Sequence, residues 1–195
     1  MSVRNLCWTL AGALIAAILI SLSTGRGAGL SLWSFDHLTR LIIWEVRLPR
    51  TLLAAITGAA LGASGAVLQG WLRNPLADPG VLGVSSSAAV GAVAAIYFGF
   101  TGMIWLAPAA GIVGALVGFW LLLQLIGRET GILLIVLAGA ALNAFCGAIT
   151  ALLLNLAPNP FAVQDMLFWL MGSFEHRSQQ HLAIIMAPVV IGSYL

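Results

Sequence analysis

Two arginines flank a proline at the start of a long apolar run, in the order Arg47-Leu48-Pro49-Arg50. At positions i and i+3 of a first helical turn, their side chains would point to neighbouring surface. Planar guanidinium groups form paired hydrogen bonds with carboxylates, so this spacing could bind acidic side chains of another protein. The alternative is that both arginines reach lipid phosphates and only fix the end of a membrane span.

One amide lies in the middle of an apolar stretch: Asn143, four residues from both Gly139 and Gly147. An amide in hydrocarbon needs a hydrogen-bond partner or water. This face should therefore meet either another helix, through an interhelical hydrogen bond, or a transport pathway.

The segment Arg73-Asn74-Pro75-Leu76-Ala77-Asp78-Pro79-Gly80 holds two prolines and a glycine between apolar runs. Such residues end one helix and start the next. The structural interpretation is a tight turn in which Asp78 caps the following helix through backbone N–H groups near Val81. Arg73 would pair with Asp78 or reach the lipid headgroups.

No residue pattern for catalysis or metal binding is present. The three histidines, His37, His176 and His181, do not pair at i and i+4, and no carboxylate completes a ligand set. A phosphate-binding loop, a nucleophile elbow and a cysteine cluster are all absent from the sequence. We therefore predict no catalytic residue, no metal site and no cofactor.

The composition places most of the chain in a membrane. Hydrophobic residues make up 61% of the sequence and charged residues 7%, with a mean hydropathy of +1.06. Soluble domains carry about 25% charged residues, and a soluble fold of this size could not bury so much apolar surface. All cations are arginines, placed singly or in one short cluster, which argues against a nucleic-acid partner. We expect lipid to surround the protein.

Apolar runs of about 20 residues, the length that crosses a bilayer as a helix, recur along the chain. Because the alternation of membrane β-strands is absent, the predicted fold is an all-α, polytopic transmembrane helix bundle. The predicted spans are 6–23, 48–72, 81–98, 103–126 and 132–157, with a sixth from Leu182, and 158–180 is predicted as a polar connection. The sixth run has about 14 residues, too few for about 30 Å of hydrocarbon. We therefore expect residues 1–195 to be a single transmembrane domain truncated at its C-terminus.

Three motifs in one order resemble the FecCD family of ABC permeases, to which the vitamin B12 permease also belongs. The first is the Arg47-to-Arg50 box, and the second is a glycine-rich helix with Ser64-Gly65-Ala66 and Gln69. The third is the loop from Asn74 to Gly80, continued by Val81-Leu82-Gly83. The likeness runs from about Trp33 to the end of the chain and implies about ten spans in a complete subunit, or roughly 300 residues.

The resemblance implies the permease subunit of a binding-protein-dependent ABC importer in the bacterial inner (cytoplasmic) membrane. Its partners would be a second permease subunit, identical or different, cytoplasmic ATP-binding subunits, and a periplasmic or lipoprotein substrate-binding protein. The substrate would be a metal chelate: an iron–siderophore, haem or cobalamin-type complex. Transport would proceed by alternating access. The chain would not be an enzyme, because a partner subunit hydrolyses ATP.

The resemblance also assigns roles to residues of this sequence. Arg47 and Arg50, with Arg40 as a further candidate, would dock the substrate-binding protein. Asn143, with Gly139 and Gly147, would line the translocation pathway, since the fifth span lines it in relatives. The functional interpretation of the loop is a cytoplasmic element close to the ATPase contact. Its residues are Arg73, Asn74, Pro75, Asp78, Pro79 and Gly80.

The distribution of charge opposes the orientation that the resemblance implies. With the N-terminus in the cytoplasm, fewer arginines lie inside than outside, whereas the positive-inside rule favours the reverse. The inner set is Arg4, Arg73 and Arg128, and the outer set is Arg26, Arg40, Arg47, Arg50 and Arg177. An outer excess of arginine is what a receptor for acidic side chains needs, so we keep the family orientation as the prediction.

Two other functions stay open at this point. A secondary, ion-coupled transporter would need ionisable residues inside its spans, and Arg50, near the start of the second run, is the only Asp, Glu, Lys, Arg or His in the predicted spans. A membrane protein with a structural or assembly role is the second. The sequence does not choose among the chelates, and the residues that couple transport to the ATPase would lie outside this chain.

Overall fold

A computed structural model describes residues 2–23, 41–100, 105–127 and 131–174, together with positions 179, 182, 185, 186, 189 and 192. Every regular element in these residues is helical, so the predicted all-α fold is confirmed. Arg40, the three histidines and most of the predicted sixth span lie outside the described residues.

The described residues contain six α-helices. They are α1 (Val3–Ser23), α2 (Leu48–Leu72), α3 (Val84–Tyr97), α4 (Leu106–Ile126), α5 (Ile132–Asn155) and α6 (Pro160–Met171). A π-helical turn, Ile43–Arg47, leads into α2, and a 3-10 turn, Pro79–Leu82, precedes α3. Of these helices, α1, α2, α4 and α5 are long and apolar enough to cross a membrane, as predicted from their runs.

The chain forms two compact units, Met1–Ala60 with Phe174–Leu195, and Leu61–Ser173. In the first unit, the hydroxyl groups of Ser21 and Thr51 lie 2.8 Å apart and join α1 to the start of α2. In the second unit, α3 packs against α4, α5 and α6. That residues 1–195 form a single transmembrane domain stays a prediction.

The third predicted span is shorter than expected. α3 has 14 residues, about 21 Å at 1.5 Å per residue, which is less than the about 30 Å of a bilayer core. Gly83 separates it from the preceding 3-10 turn with a φ of +76°. A left-handed residue therefore interrupts the run that the hydropathy pattern predicts as one span.

Two apolar clusters hold the second unit together. One joins the end of α2 and the following loop to α4 and α5, and its buried residues are Leu68, Leu72, Ala77, Leu82, Leu122, Ile135, Ala138, Leu142 and Cys146. The other joins α3 to α6 through Val93, Ile96 and Met166. Gly114 and Gly118 bring α4 close to α3, because a Cβ at either position would meet Ser87.

The prediction of a polar connection over residues 158–180 was wrong for its first half, which contains α6. The Ala162 N–H donates to Asn159 Oδ1 at 2.8 Å, and Pro160 occupies the first helical position. An asparagine cap followed by proline is a start signal for a helix. That signal was available in the sequence.

Large apolar side chains cover the outer faces of the helices. Trp8 and Leu133 are each 73% exposed, and Val67 is 71% exposed. So many exposed large apolar side chains are unusual on soluble proteins, whereas hydrocarbon is a favourable surrounding for them. The outer surface therefore agrees with the membrane environment that the composition predicts.

Candidate functional site

The arginine pair lies at the start of α2, where the two side chains have different surroundings. Arg47 is half-buried, and its Nη1 donates a hydrogen bond of 2.9 Å to the carbonyl oxygen of Leu22. That carbonyl belongs to the last turn of α1, where free C=O groups and the helix dipole favour a cation. Arg47 therefore stabilises the end of α1.

Arg50 is exposed, and within the described part of the chain it has no hydrogen bond or ion pair. Pro49, between the two arginines along the chain, is fully buried. The buried proline fixes the first turn of α2, and Arg50 projects its five N–H donors from a fixed backbone. Of the two arginines, Arg50 is the one available to a carboxylate of another molecule.

The loop after α2 is held by local hydrogen bonds. Arg73 has a φ of +48°, and the Asn74 N–H donates to the Gln69 carbonyl at 3.2 Å. This bond from one residue to the carbonyl five positions earlier is that of the Schellman motif at a helix C-terminus, in which the left-handed residue is usually glycine. An arginine there carries backbone strain.

Asn74 and Asp78 then fix the rest of the loop. Asn74 Oδ1 accepts from the Leu76 N–H at 2.9 Å, and the Asn74 carbonyl accepts from the Ala77 N–H at 3.1 Å. Asp78 Oδ1 accepts from the Gly80 N–H at 2.6 Å. The predicted capping by Asp78 is confirmed, with Gly80 as its partner. Arg73 and Asp78, both described, do not form an ion pair, and Leu76 is left 86% exposed.

The turn that follows the loop lies directly on α5. A Cβ at Gly139 would meet the carbonyl oxygen of Val81, so only glycine permits this approach. Gly83 in turn lies against Leu142 with its φ of +76°. The backbone of the turn thus occupies a depression in α5 that two glycines make possible.

Asn143 joins the same turn to α5 by hydrogen bonds. Its Nδ2 donates to the Gly80 carbonyl at 2.8 Å, with the Val81 carbonyl at 3.4 Å. The Ser86 hydroxyl lies 2.7 Å from Asn143 Oδ1 and 2.9 Å from the Gly83 carbonyl. It has one hydrogen to donate to either. The two carbonyls near Nδ2 fix the orientation of the amide, since its oxygen could not face them.

These contacts decide between the alternatives for Asn143 only in part. The interhelical hydrogen bond is present, from α5 to the turn and to α3. Gly139, one turn away, is buried in the same contact, whereas Gly147 has open space within 4 Å of its Cβ position. That Asn143, Gly139 and Gly147 line a pathway stays a prediction.

Two serines that the sequence motifs did not indicate also belong to this site. Ser86 completes the hydrogen bonds of Asn143, and the hydroxyl of buried Ser87 lies 2.8 Å from the Gly83 carbonyl and 3.3 Å from Cys146 Sγ. The signal was the run Ser85-Ser86-Ser87 at the start of an apolar helix, because hydroxyl groups there bond to nearby carbonyls.

A groove of about 560 Å³ lies beside this site, between α3, α4 and α5. Its walls are almost wholly apolar and include Phe98, Val113, Val117 and Phe145. Among the described residues, no three His, Cys, Asp or Glu side chains come together as a metal site would require. The described site is thus built for packing and backbone contact.

Comparison with known proteins identifies the family. Residues 9–195 match the model of the FecCD transport family. The vitamin B12 import system permease protein BtuC of Salmonella newport is 37% identical over 199 residues, which are 96% of this chain and 59% of the relative. The protein of the same name from Salmonella paratyphi A is 36% identical over 198 residues, with the same coverage.

A solved structure is also similar. It is described as an inward-facing conformation of a metal-chelate type ABC transporter, with a TM-score of 0.85 and 32% identity over 96% of this chain and 59% of that chain. The chain therefore spans about three fifths of the length of these relatives. Its place is the inner membrane, and four of its described helices are long and apolar enough to cross the bilayer. By the match along nearly its whole length, the chain belongs to the FecCD transport family.

Proposed function

We propose that this chain is part of the permease subunit of a binding-protein-dependent ABC importer. Its substrate is an iron–siderophore, haem or cobalamin-type complex, which crosses the cytoplasmic membrane by alternating access. The observation that carries the proposal is the family match over residues 9–195. The named relatives import vitamin B12, and the similar structure is of the metal-chelate type. Both substrates are bulky chelates.

The partners follow from the same proposal. A second permease subunit, identical or different, completes the pathway, and membrane lipid surrounds the pair. Cytoplasmic ATP-binding subunits supply the energy, so the chain itself performs no chemistry. A periplasmic or lipoprotein binding protein delivers the chelate.

The arginine end of α2 is the proposed docking surface for the binding protein. Arg50 is exposed and unpaired among the described residues, which supports its role in meeting a carboxylate. One N–H donor of Arg47 is bonded to the Leu22 carbonyl, and its other donors and its charge contribute to the docking surface. Arg40 is the third candidate of this surface.

The other two groups of residues keep their predicted roles within the proposal. Residues 73–80 form a cytoplasmic element near the ATPase contact, and the rigid hydrogen bonding of this loop suits a surface that must keep its shape. Asn143, Gly139 and Gly147 belong to the helix that borders the pathway. Asn143 and Gly139 act there through the turn on which they pack.

Reconstitution of the full-length subunit with its ATPase and binding protein tests the proposal. Proteoliposomes are offered cyanocobalamin, haemin and a ferric siderophore in parallel. We expect uptake of one of the three classes that requires ATP and is blocked by vanadate. Uptake that ignores ATP and follows a proton or sodium gradient would instead identify an ion-coupled secondary transporter, and the proposal would be wrong.

A further inference from the structure

The turn Pro79–Leu82 and α5 are joined by two independent kinds of contact. The first is polar: Asn143 Nδ2 donates to the Gly80 carbonyl, and Asn143 Oδ1 faces the Ser86 hydroxyl. The second is steric, because the Val81 carbonyl lies where a side chain at Gly139 would be. Both a directional hydrogen bond and a close steric fit therefore hold the turn against α5.

The polar contact is difficult to loosen gradually. Gly80, Ser86 and Asn143 are half-buried, so a carbonyl or an amide that loses its partner in this contact is unfavourable. The contact is then either complete or absent, and packed contacts of this kind do not deform continuously. Among the described residues, Asn155 on the same helix offers a contrast. Its Nδ2 donates to the Ala151 carbonyl, inside its own helix.

The loop before the turn is rigid as well. Asp78 caps the turn, and Asn74 bonds to Leu76 and Ala77. The Val81 N–H and the Gly83 N–H also donate to the carbonyls of Asp78 and Gly80, so hydrogen bonds recur along the backbone from Asn74 to Gly83. A displacement of the exposed loop would be transmitted to the turn, and through the turn to α5.

We infer that Asn143 is a positioning residue that makes the loop 73–83 and α5 move as one body when the transporter switches between its two arrangements. The inference rests on the proposed function, since it supposes two arrangements with different access. A partner that contacts the exposed loop then displaces α5 without touching it. The physical basis is a direct contact between the two elements and not their mere proximity.

Distance measurements between two spin labels test the inference in the complete transporter. One label replaces Leu76, which is 86% exposed, and the other replaces Leu152, which is 56% exposed. Leu152 lies about 20 Å along α5 from Gly139, at 1.5 Å per residue. Cys7 is exposed and is replaced by serine, whereas buried Cys146 stays. Distances are recorded without nucleotide and after trapping with ATP and vanadate.

The expected result has two parts. In the otherwise unchanged protein, the mean distance agrees between the two states within about 2 Å, the size of small helix shifts. Asn143→Leu broadens the distance distribution in both states, and Ser86→Ala broadens it less. Asn155→Leu is the matched control and leaves the distribution unchanged. Ser86→Ala keeps the inference testable if Asn143→Leu does not fold.

Two results would overturn the inference. One is a change in the mean distance by about one helical turn, 5 Å or more, between the two states. The other is a distribution for Asn143→Leu that matches the control in width. Uptake measured on the same preparations separates this failure from that of the proposed function. Transport that is driven by ATP while the distance changes contradicts only the role of Asn143.

Discussion

The two ends of α2 differ in how completely the chain satisfies its own polar groups. At the C-terminal end, Arg73 takes a left-handed backbone, and the following loop makes hydrogen bonds to itself and, through Gly80, to Asn143. At the N-terminal end, Arg47 makes one hydrogen bond to Leu22, and Arg50 is exposed with no bonded partner in the described residues.

This difference separates a surface that is built to keep its shape from one that is built to meet another molecule. An exposed guanidinium on a fixed backbone gains from a partner that brings carboxylates. A loop whose polar groups are already hydrogen-bonded gains little free energy by rearrangement. A displacement of such a loop is instead transmitted to the element it contacts, here α5. Substitutions at the two ends should therefore differ in whether they change mainly stability or mainly association with a partner.

At the loop end, Gly139→Ala should destabilise the full-length subunit by about 1–3 kcal/mol, the usual cost of overpacking. Its Cβ would meet the backbone of Val81, which cannot turn aside as a flexible side chain could. Thermal unfolding in detergent or nanodiscs measures the effect. Gly147→Ala, with open space at its Cβ position, is the control and should change the unfolding temperature little. Equal effects at the two positions would contradict the close contact.

At the arginine end, Arg50→Glu should slow association with the binding protein by about tenfold at low salt. The deficit should shrink as salt rises, because screening weakens the attraction that the arginine provides. Stopped-flow association of the purified partners measures the rate. An association rate that is unaffected at every salt concentration would remove Arg50 from the docking surface.

Arg47→Met should act mainly on stability, with a loss of about 1 kcal/mol from the hydrogen bond and charge at the end of α1. The methionine keeps much of the apolar stem, so the lost group is the guanidinium. Thermal unfolding and association rates are measured on the same preparation as for Arg50→Glu. The distinction between the arginines fails if Arg47→Met slows association more than Arg50→Glu and leaves the unfolding temperature unchanged.

The smallest effect is expected for Arg73→Gly, which should stabilise the protein by about 0.5–1 kcal/mol. Glycine adopts the left-handed conformation without the steric strain of a Cβ, although it also loses more chain entropy on folding. The unfolding temperature is again the measurement. A lower unfolding temperature would mean that the Arg73 side chain makes a stabilising contact that outweighs its backbone strain.

The sequence was most informative where composition alone decides the structure. The apolar run 48–72, in which Arg50 is the only charged residue, predicted the bounds of α2, because lipid demands a helix and Arg47 and Arg73 flank the run. The family also followed from contiguous motifs. The three-residue spacing of Arg47 and Arg50 did not reveal that only the first meets α1, since that bond joins residues 25 positions apart.

The missed break at Gly83 and the missed role of Ser86 have the same physical origin. The helix break at Gly83 depends on the close contact of this residue with Leu142. The role of Ser86 depends on the amide of Asn143, which lies 57 residues further along the chain. Hydropathy reports the solvent of a segment and not its partners, so it predicted one long span where the chain has a turn and the short helix α3. Missing the helix α6 was a different kind of error, because its start signal, Asn159 followed by Pro160, is local and could be recognised in the sequence.

The orientation of α2 is the point on which the docking proposal most directly depends. Arg50→Cys and, for comparison, Leu76→Cys are made separately in full-length protein that carries Cys7→Ser. A membrane-impermeant maleimide is then applied to spheroplasts and to inside-out vesicles of each variant. We predict that position 50 is labelled only from the outer face and position 76 only from the cytoplasmic face. Labelling of position 50 from the cytoplasmic face alone would contradict the outward orientation of Arg50 and the docking surface built on it.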